Sequence, residues 1–311
     1  MAHATGSRRR IIYGEELSFG VTPADGYIMR NTGDSLNLTK NTIPSAELTG
    51  DRAIRFLRHG NETVGGDISF ELAYGAFDDF LAAALGASTW TADTGFDYVK
   101  QGTTIRHFSF EKGFQDIVQY IVYHGCAINT LTIDLATDAV VTGSIGIVGA
   151  GTDGFTNVSF DASPAETSGN DSEPFASFDG TIDLGGTDGC VITALSLSID
   201  NGITANYSIC SPEAQSLTPD RVNITGTVTA MFEDATELNR FIEETTTSLT
   251  VTMIDPDDQA LVLYLPKIKY TGGDVPVSGG GVISISLPFQ ALYDDTEESA
   301  LTIKRYAEYN P

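Results

Sequence analysis

Val64-Gly-Gly-Asp-Ile-Ser-Phe-Glu-Leu72 leads into Ala76-Phe-Asp-Asp-Phe-Leu-Ala-Ala-Ala-Leu85, and these two segments decide the fold. In the first, Val64, Gly66, Ile68, Phe70 and Leu72 alternate with Gly65, Asp67, Ser69 and Glu71, the period-two pattern of a half-buried strand. In the second, Phe77, Phe80, Leu81 and Leu85 recur at helical spacing before a stop at Gly86. The chain then repeats itself. Ile224-Thr-Gly-Thr-Val-Thr-Ala-Met-Phe232 leads into Ala235-Thr-Glu-Leu-Asn-Arg-Phe-Ile242, a second helix over 235–244 entered through Asp234 as N-cap. Gly66 aligns with Gly226 at an offset of 160, as do Ile68 with Val228 and Leu72 with Phe232. One residue enters at the turn, so Phe80 aligns with Phe241 at 161, the offset that also aligns Ser35-Leu-Asn-Leu38 with Ser196-Leu-Ser-Ile199. A near-constant offset across three elements points to a duplicated unit.

Around these segments the texture is β. Alternation recurs at Leu131, Ile133, Leu135; at Leu195, Leu197, Ile199; at Leu249, Val251, Met253; and at Ile283, Ile285, Leu287, Phe289. The 32 glycines punctuate the strands, with turns expected at Gly185–Gly189 and Asp255–Asp258. A chain of 311 residues fits two domains of about 150 residues. The reading is mainly β, two tandem β-sandwich domains each with one short flanking α-helix. The first spans 1–151 and the second 175–311. The Gly-, Pro-, Ser- and acid-rich stretch 152–174 is expected as a linker or surface excursion.

Seventeen basic residues against 42 acidic ones give a net charge of −25. That excludes a basic nucleic-acid-binding stripe and docking on anionic membranes. It suits solubility, and it suits a surface that passes a polyanion without holding it. No apolar run is long enough for a membrane span, and none follows the N-terminal arginines as a signal peptide would require, so a soluble protein made in the cytoplasm is expected. Cys126, Cys190 and Cys210 form no CxxC pair and read as small buried apolar residues.

Catalytic and cofactor signals are weak. The four histidines have no HExxH or HxxxH spacing, no Ser-centred GxSxG occurs, and Ser278-Gly-Gly-Gly281 is followed by no Lys-Ser/Thr, so it reads as a hairpin tip. Asp255-Pro-Asp-Asp258 lacks the length and terminal Glu of a calcium loop and reads as a solvated turn. Trp90 is expected to pack below the first helix. No enzyme, no metal and no cofactor is expected.

One excursion stands out. Across residues 43–60, Arg52, Arg55 and Arg58 interleave with Ile54, Phe56 and Leu57, the composition of a protein-contact arm; the alternative is a hairpin folded back on its own domain.

The combination of Thr225–Asp234, Ser248-Leu-Thr-Val-Thr252, Leu265-Pro-Lys-Ile-Lys-Tyr270 running on to Gly281, Leu287-Pro-Phe-Gln-Ala-Leu-Tyr-Asp-Asp295 and Leu195-Ser-Leu-Ser-Ile-Asp-Asn-Gly202 resembles the major tail tube proteins of long-tailed bacteriophages. Tyr13-Gly-Glu-Glu16, Gly20-Val-Thr-Pro23, Ile43–Glu47 with Asp51-Arg52, and Gly66–Leu72 are similar to the same family. The resemblance covers nearly the whole chain and is poorest over 151–174. It implies β-sandwich domains whose sheets join edge to edge into a ring, with rings stacked into a tube in the virion tail after assembly in the host cytoplasm. Six tube domains per ring imply three chains with pseudo-sixfold symmetry, a homohexamer being the alternative. The implied partners are further copies of the chain, the tape measure protein, the tail terminator and distal tail proteins, with DNA passing through the lumen unbound. Arg8, Arg9, Arg10, Arg52, Arg55, Phe56 and Arg58 are expected at contacts with the next subunit or ring. Asp67 and Glu71, on the polar face of the first core strand, are expected to line the lumen. The rival reading is a secreted acidic β-sandwich that binds carbohydrate or adheres through calcium.

Overall fold

The computed structural model describes residues 3–309 apart from 49, 52, 170, 189–191, 234 and 276–280. The first half opens with β1 (Arg9–Glu15), β2 (Tyr27–Met29), β3 (Gly33–Asp34), β4 (Asn37–Pro44) and β5 (Leu57–Glu71). Helix α1 (Asp78–Ala84) follows, then β6 (Thr91–Asp93), β7 (Phe96–Lys100), β8 (Phe108–Phe114), β9 (Gln119–Ala136), β10 (Thr142–Gly149), β11 (Gly151–Thr156) and β12 (Ala165–Glu166). The second half has β13 (Gly180–Leu184), β14 (Thr187–Asp188), β15 (Ile192–Asp200), β16 (Thr204–Ser208), β17 (Ser211–Thr218) and β18 (Asn223–Met231). It closes with α2 (Thr236–Ile242), β19 (Thr247–Ile254), β20 (Ala260–Tyr270), β21 (Ser284–Ala291) and β22 (Thr302–Tyr306). Each alternating run in the sequence falls in a strand to within a residue, and both expected helices form. Asp234, expected as the cap of α2, lies outside the described residues; Ala235 occupies the cap position.

The repeat is topological as well as sequential. The antiparallel order β1-β8-β9-β10-β5-β4 recurs as β13-β19-β20-β21-β18-β15. The aligned glycines explain part of it. A Cβ on Gly66 would stand 2.5 Å from Ser35 O, and one on Gly226 would stand 2.5 Å from Ser196 O. Each glycine therefore lets the same neighbouring strand approach, and Gly66, at φ +138°, also holds a conformation that side chains resist.

The halves are fused edge to edge. β15 pairs with β9 from Leu195 opposite Leu135 to Asp200 opposite Thr130, so β4, β5, β10, β9, β15, β18 and β21 run as one uninterrupted antiparallel sheet. A second joint forms where β22 lies between β20 and β7. The inward phase of these strands (Ile68, Phe70, Ile133, Ile145, Leu197, Val228, Leu287) is buried in one continuous core. Burial of such side chains contributes about 1.5–3 kcal/mol each.

Residues 152–174, expected as a linker or surface excursion, form a strap along the first half. Glu111 accepts hydrogen bonds from Ser159 Oγ and Phe160 N, both at 2.7 Å. Asp161 accepts from Gly26 N at 3.0 Å, β12 pairs in parallel with β2, and Arg30 donates to the carbonyls of Gly169 and Ser172 at 3.0 and 2.7 Å. The strap carries no apolar period because polar groups and backbone fasten it.

Two further expectations resolve. Trp90 packs beside α1 and donates from Nε1 to Asp78 O at 3.0 Å. The cysteines divide: Cys126 is buried, Cys210 is exposed in the turn between β16 and β17 rather than buried as expected, and Cys190 lies outside the described residues.

Candidate functional site

Strand alternation sends every second side chain of the fused sheet away from the core. The register places these outward residues in rows. Asp67 stands opposite Gly146, Gly146 opposite Thr130, and Thr130 opposite Asp200. Ser69, Ser144, Thr132, Ser198 and Thr225 form the next row, with Thr132 Oγ1 and Ser144 Oγ 2.9 Å apart. Glu71, Thr142, Asp134, Ser196 and Thr227 form the third. Asp67, Glu71, Asp134 and Asp200 are all exposed. Gly146 keeps the first row flat, because a Cβ there would collide with Thr130 Oγ1.

This face is a carpet of hydroxyls and carboxylates. No Lys or Arg occurs in 64–71, 128–136, 142–149, 192–200, 223–231 or 284–291. Cations appear on the bounding strands: Lys40 of β4, paired with Glu62 at 2.5 Å, and Lys267 and Lys269 of β20, the latter paired with Glu244 at 2.9 Å. The structure thus brings the expected Asp67 and Glu71 together with Asp134 and Asp200. These two escaped the sequence reading, although each occupies the outward phase of an alternating run.

Several basic residues elsewhere hold the interior together. Asp34, its side chain 1% exposed, is clamped between Arg9 and Lys112, and burial together with Arg9 lowers the Lys112 pKa. Arg106 bridges Glu15 and Asp79 at 2.6 and 2.8 Å. Of the N-terminal arginines, Arg8 is exposed, Arg9 is engaged by Asp34, and Arg10 is half-buried where its charge acts on Glu111.

The hairpin of β4 and β5 projects from the body rather than folding back on it. Ile43, Leu48, Ile54, Phe56 and Leu57 are all more than half exposed, Leu48 at 99%. Arg55 is tied to Asp51 at 2.5 Å, Arg58 is exposed opposite Ile43, and Arg52 lies outside the described residues. Bulky apolar side chains are thus gathered, exposed, on a projecting hairpin. In the second half the β16–β17 hairpin occupies the corresponding place, and it does have a partner. It lies on the first half, where Tyr207 Oη donates to Glu62 O at 2.9 Å beside Thr63 Oγ1 at 2.8 Å.

Among the described residues no group of three or more His, Cys, Asp or Glu is placed to hold a metal ion. Asp255 instead uses Oδ1 to accept the backbone N–H of Asp257 and Gln259 at 3.0 and 2.9 Å, closing its own turn. Among the described residues no helix is long and apolar enough to cross a membrane.

Compared with known proteins, residues 6–291 match the model of a family described as phage tail tube protein. No curated protein matches the chain.

Proposed function

This chain belongs to the phage tail tube protein family, a structural component of the tail, and from that membership we propose that it polymerises as stacked rings whose fused sheets line a conduit for DNA. Three chains form each ring, so that the duplicated unit is repeated six times around the axis. The observation that carries the conduit is the outward face: Asp67, Glu71, Asp134 and Asp200 set among serines and threonines, with no Lys or Arg in 64–71, 128–136, 142–149, 192–200, 223–231 or 284–291. Unlike charges would hold phosphates, whereas carboxylates repel them and hydroxyls leave the wall wet. The edge strands that would be liabilities in a monomer become joints between chains.

The β4–β5 arm, with Arg55, Phe56 and Arg58, is the contact element between subunits, and exposed Arg8 serves neighbouring chains in the same way. Arg9 is a structural residue in this reading, because its charge is spent on Asp34. The domains divide at 1–151 and 175–311, with the strap belonging physically to the first. The tape measure, terminator and distal tail proteins are the tube's further partners.

Negative-stain electron microscopy of the concentrated protein tests the reading. Hollow tubes or stacked rings are expected, with axial class averages showing threefold symmetry in a six-lobed ring. Dispersed monomers that bind a polysaccharide or melt higher with calcium would overturn it. Deleting residues 43–60 is expected to leave the melting transition in place and abolish tubes; tubes of normal length would remove the arm from the assembly.

A further inference from the structure

The joint between the halves is closed inside the chain, and its two components each exist a second time with no strand partner on the matching edge among the described residues. In the joint, Leu131, Thr132 and Ile133 of β9 pair with Ile199, Ser198 and Leu197 of β15. The repeat gives β15 a counterpart, the segment Leu36–Leu38 entering β4, which lies on β5 as Leu197–Ile199 lies on β18. It gives β9 a counterpart in β20 and the residues after it. Ile128 opposite Ile147 corresponds to Tyr270 opposite Phe289, and Thr132 opposite Ser144 corresponds to Asp274 opposite Ser286. Gly273, Asp274 and Val275 therefore stand where Leu131, Thr132 and Ile133 stand in the first half. Their exposures follow: Asp274 is exposed like the other outward residues, while Val275 packs half-buried against the core.

We infer that Gly273–Val275 of one chain pairs antiparallel with Leu36–Leu38 of a second copy, in the register copied from the internal joint: Val275 opposite Leu36, Asp274 opposite Asn37, Gly273 opposite Leu38. The inference rests on the tube reading and specifies its lateral contact. The chemistry of the pairs agrees with it. Asn37 and Asp274 are both exposed, and the Asn37 amide donates to a carboxylate standing across from it. Val275, half-buried, stands opposite buried Leu36 and diagonal to half-buried Leu38 on the inward face. Among the described residues the Leu36 carbonyl is met by two side chains. Lys112 Nζ donates to Leu36 O at 2.9 Å, with Tyr123 Oη at 3.4 Å, and a carbonyl has room for a strand N–H beside such a donor. The arm follows from the same correspondence. Tyr207 of the β16–β17 hairpin rests on Glu62 and Thr63, whose counterparts are Val222 and Asn223. The β4–β5 arm therefore lies on the groove formed by Val222, Asn223, Gln290 and exposed Tyr293 of the neighbour.

Disulfide trapping tests the register. In a Cys190→Ser, Cys210→Ser background that leaves buried Cys126 in place, Asn37→Cys is combined with Asp274→Cys. A second pair, Thr39→Cys with Asp274→Cys, is shifted by two residues on the same strand face. Directly opposed Cα atoms on antiparallel strands lie within disulfide reach, whereas a two-residue shift exceeds it. Tubes are assembled under reduction, confirmed by microscopy and then oxidised. The expected result is a ladder of covalent dimers and higher species on a non-reducing gel for the 37/274 pair. The shifted pair and the dilute unassembled chain should show at least ten times less. Tubes that cross-link equally or better through the shifted pair overturn the register. Tubes that cross-link through neither overturn the joint and leave the tube reading standing. A chain that folds by circular dichroism but makes neither tubes nor cross-links removes both.

Discussion

Helices α1 and α2 arise from the same repeated segment and meet different fates. α1 buries Phe80, Leu81, Ala82, Ala83 and Ala84, whereas α2 has no buried residue and leaves Ile242 67% exposed. Composition contributes, since Ala82, Ala83 and Ala84 correspond at the same offset to Glu243, Glu244 and Thr245. The neighbours contribute more. The second half sends Asn201 to α1, where Nδ2 donates to Ala84 O and Ile128 O at 3.0 and 3.1 Å, and Arg305 to Asp78 and Asp97. The contacts described for α2 come from its own half: Glu237 accepts from Tyr270 Oη at 2.8 Å and Arg240 reaches Thr247. The difference teaches that a tube-type unit is completed by the unit beside it. Within one chain the helix of the first copy receives groups from the second, and the helix of the second receives none from the first among the described contacts.

The largest effect that separates the copies is expected from the helix phenylalanines. Phe80 is fully buried with Tyr13, Phe108 and Phe110 at ring distances of 4.6, 5.6 and 6.0 Å. Phe80→Ala should cost the unassembled chain about 3–5 kcal/mol in urea unfolding, while Phe241→Ala, half-buried, should cost about 1 kcal/mol. Equal costs would break the comparison.

Asn201→Ala comes next. It strips two buried carbonyls of their donor and should cost about 1–3 kcal/mol. Lys40 is the residue that corresponds to Asn201 in the repeat, and its ion pair with Glu62 is exposed. Lys40→Ala should stay within about 0.5 kcal/mol in the free chain, and a larger loss would show that the first copy's edge is already sealed.

The smallest effect concerns pH. Burial raises the pKa of Glu16, Asp78 and Glu111, all in the first copy, and of Asp255 in the second. A carboxyl raised on folding binds its proton in the native state first. Stability therefore rises as pH falls through the folded-state pKa and is gained in full below the unfolded value. Relief of self-repulsion at −25 acts in the same direction. The melting temperature should climb as pH is lowered from 7 toward 5, and removing the Glu111 contribution with Glu111→Gln should flatten the climb. A melting temperature that falls steadily over that interval would show that the buried carboxyls do not govern the pH response, since the pKa-lowered Asp116, Asp294 and Glu244 lose their contribution only below the ordinary carboxylate range.

Much of this was readable beforehand. Period-two runs found the central strands, and the Gly66–Gly226 alignment found the repeat whose strand order the fold confirms. The polar phase of the first run found Asp67 and Glu71 as members of the outward face. Asp134 and Asp200 sit on equally clear runs but lack meaning until the register sets them in the same rows. The strap was illegible because its fastening, through Glu111, Asp161 and Arg30, is polar and long-range. Arg9 looked like its neighbours Arg8 and Arg10, and only the burial of Asp34 separates it from them.

The sequence by itself determined the strands, the two helices, their duplication and the acidic balance, because these depend on local periodicity and composition, which the chain carries residue by residue. The tertiary structure alone decided that the two copies share one sheet through β9 and β15, which carboxylates fall in the same rows, and that α1 is buried under groups from the other copy while α2 has no buried residue. Those outcomes depend on strand register, where a shift of one residue turns every side chain to the other face, and register is fixed by partners far away in the chain.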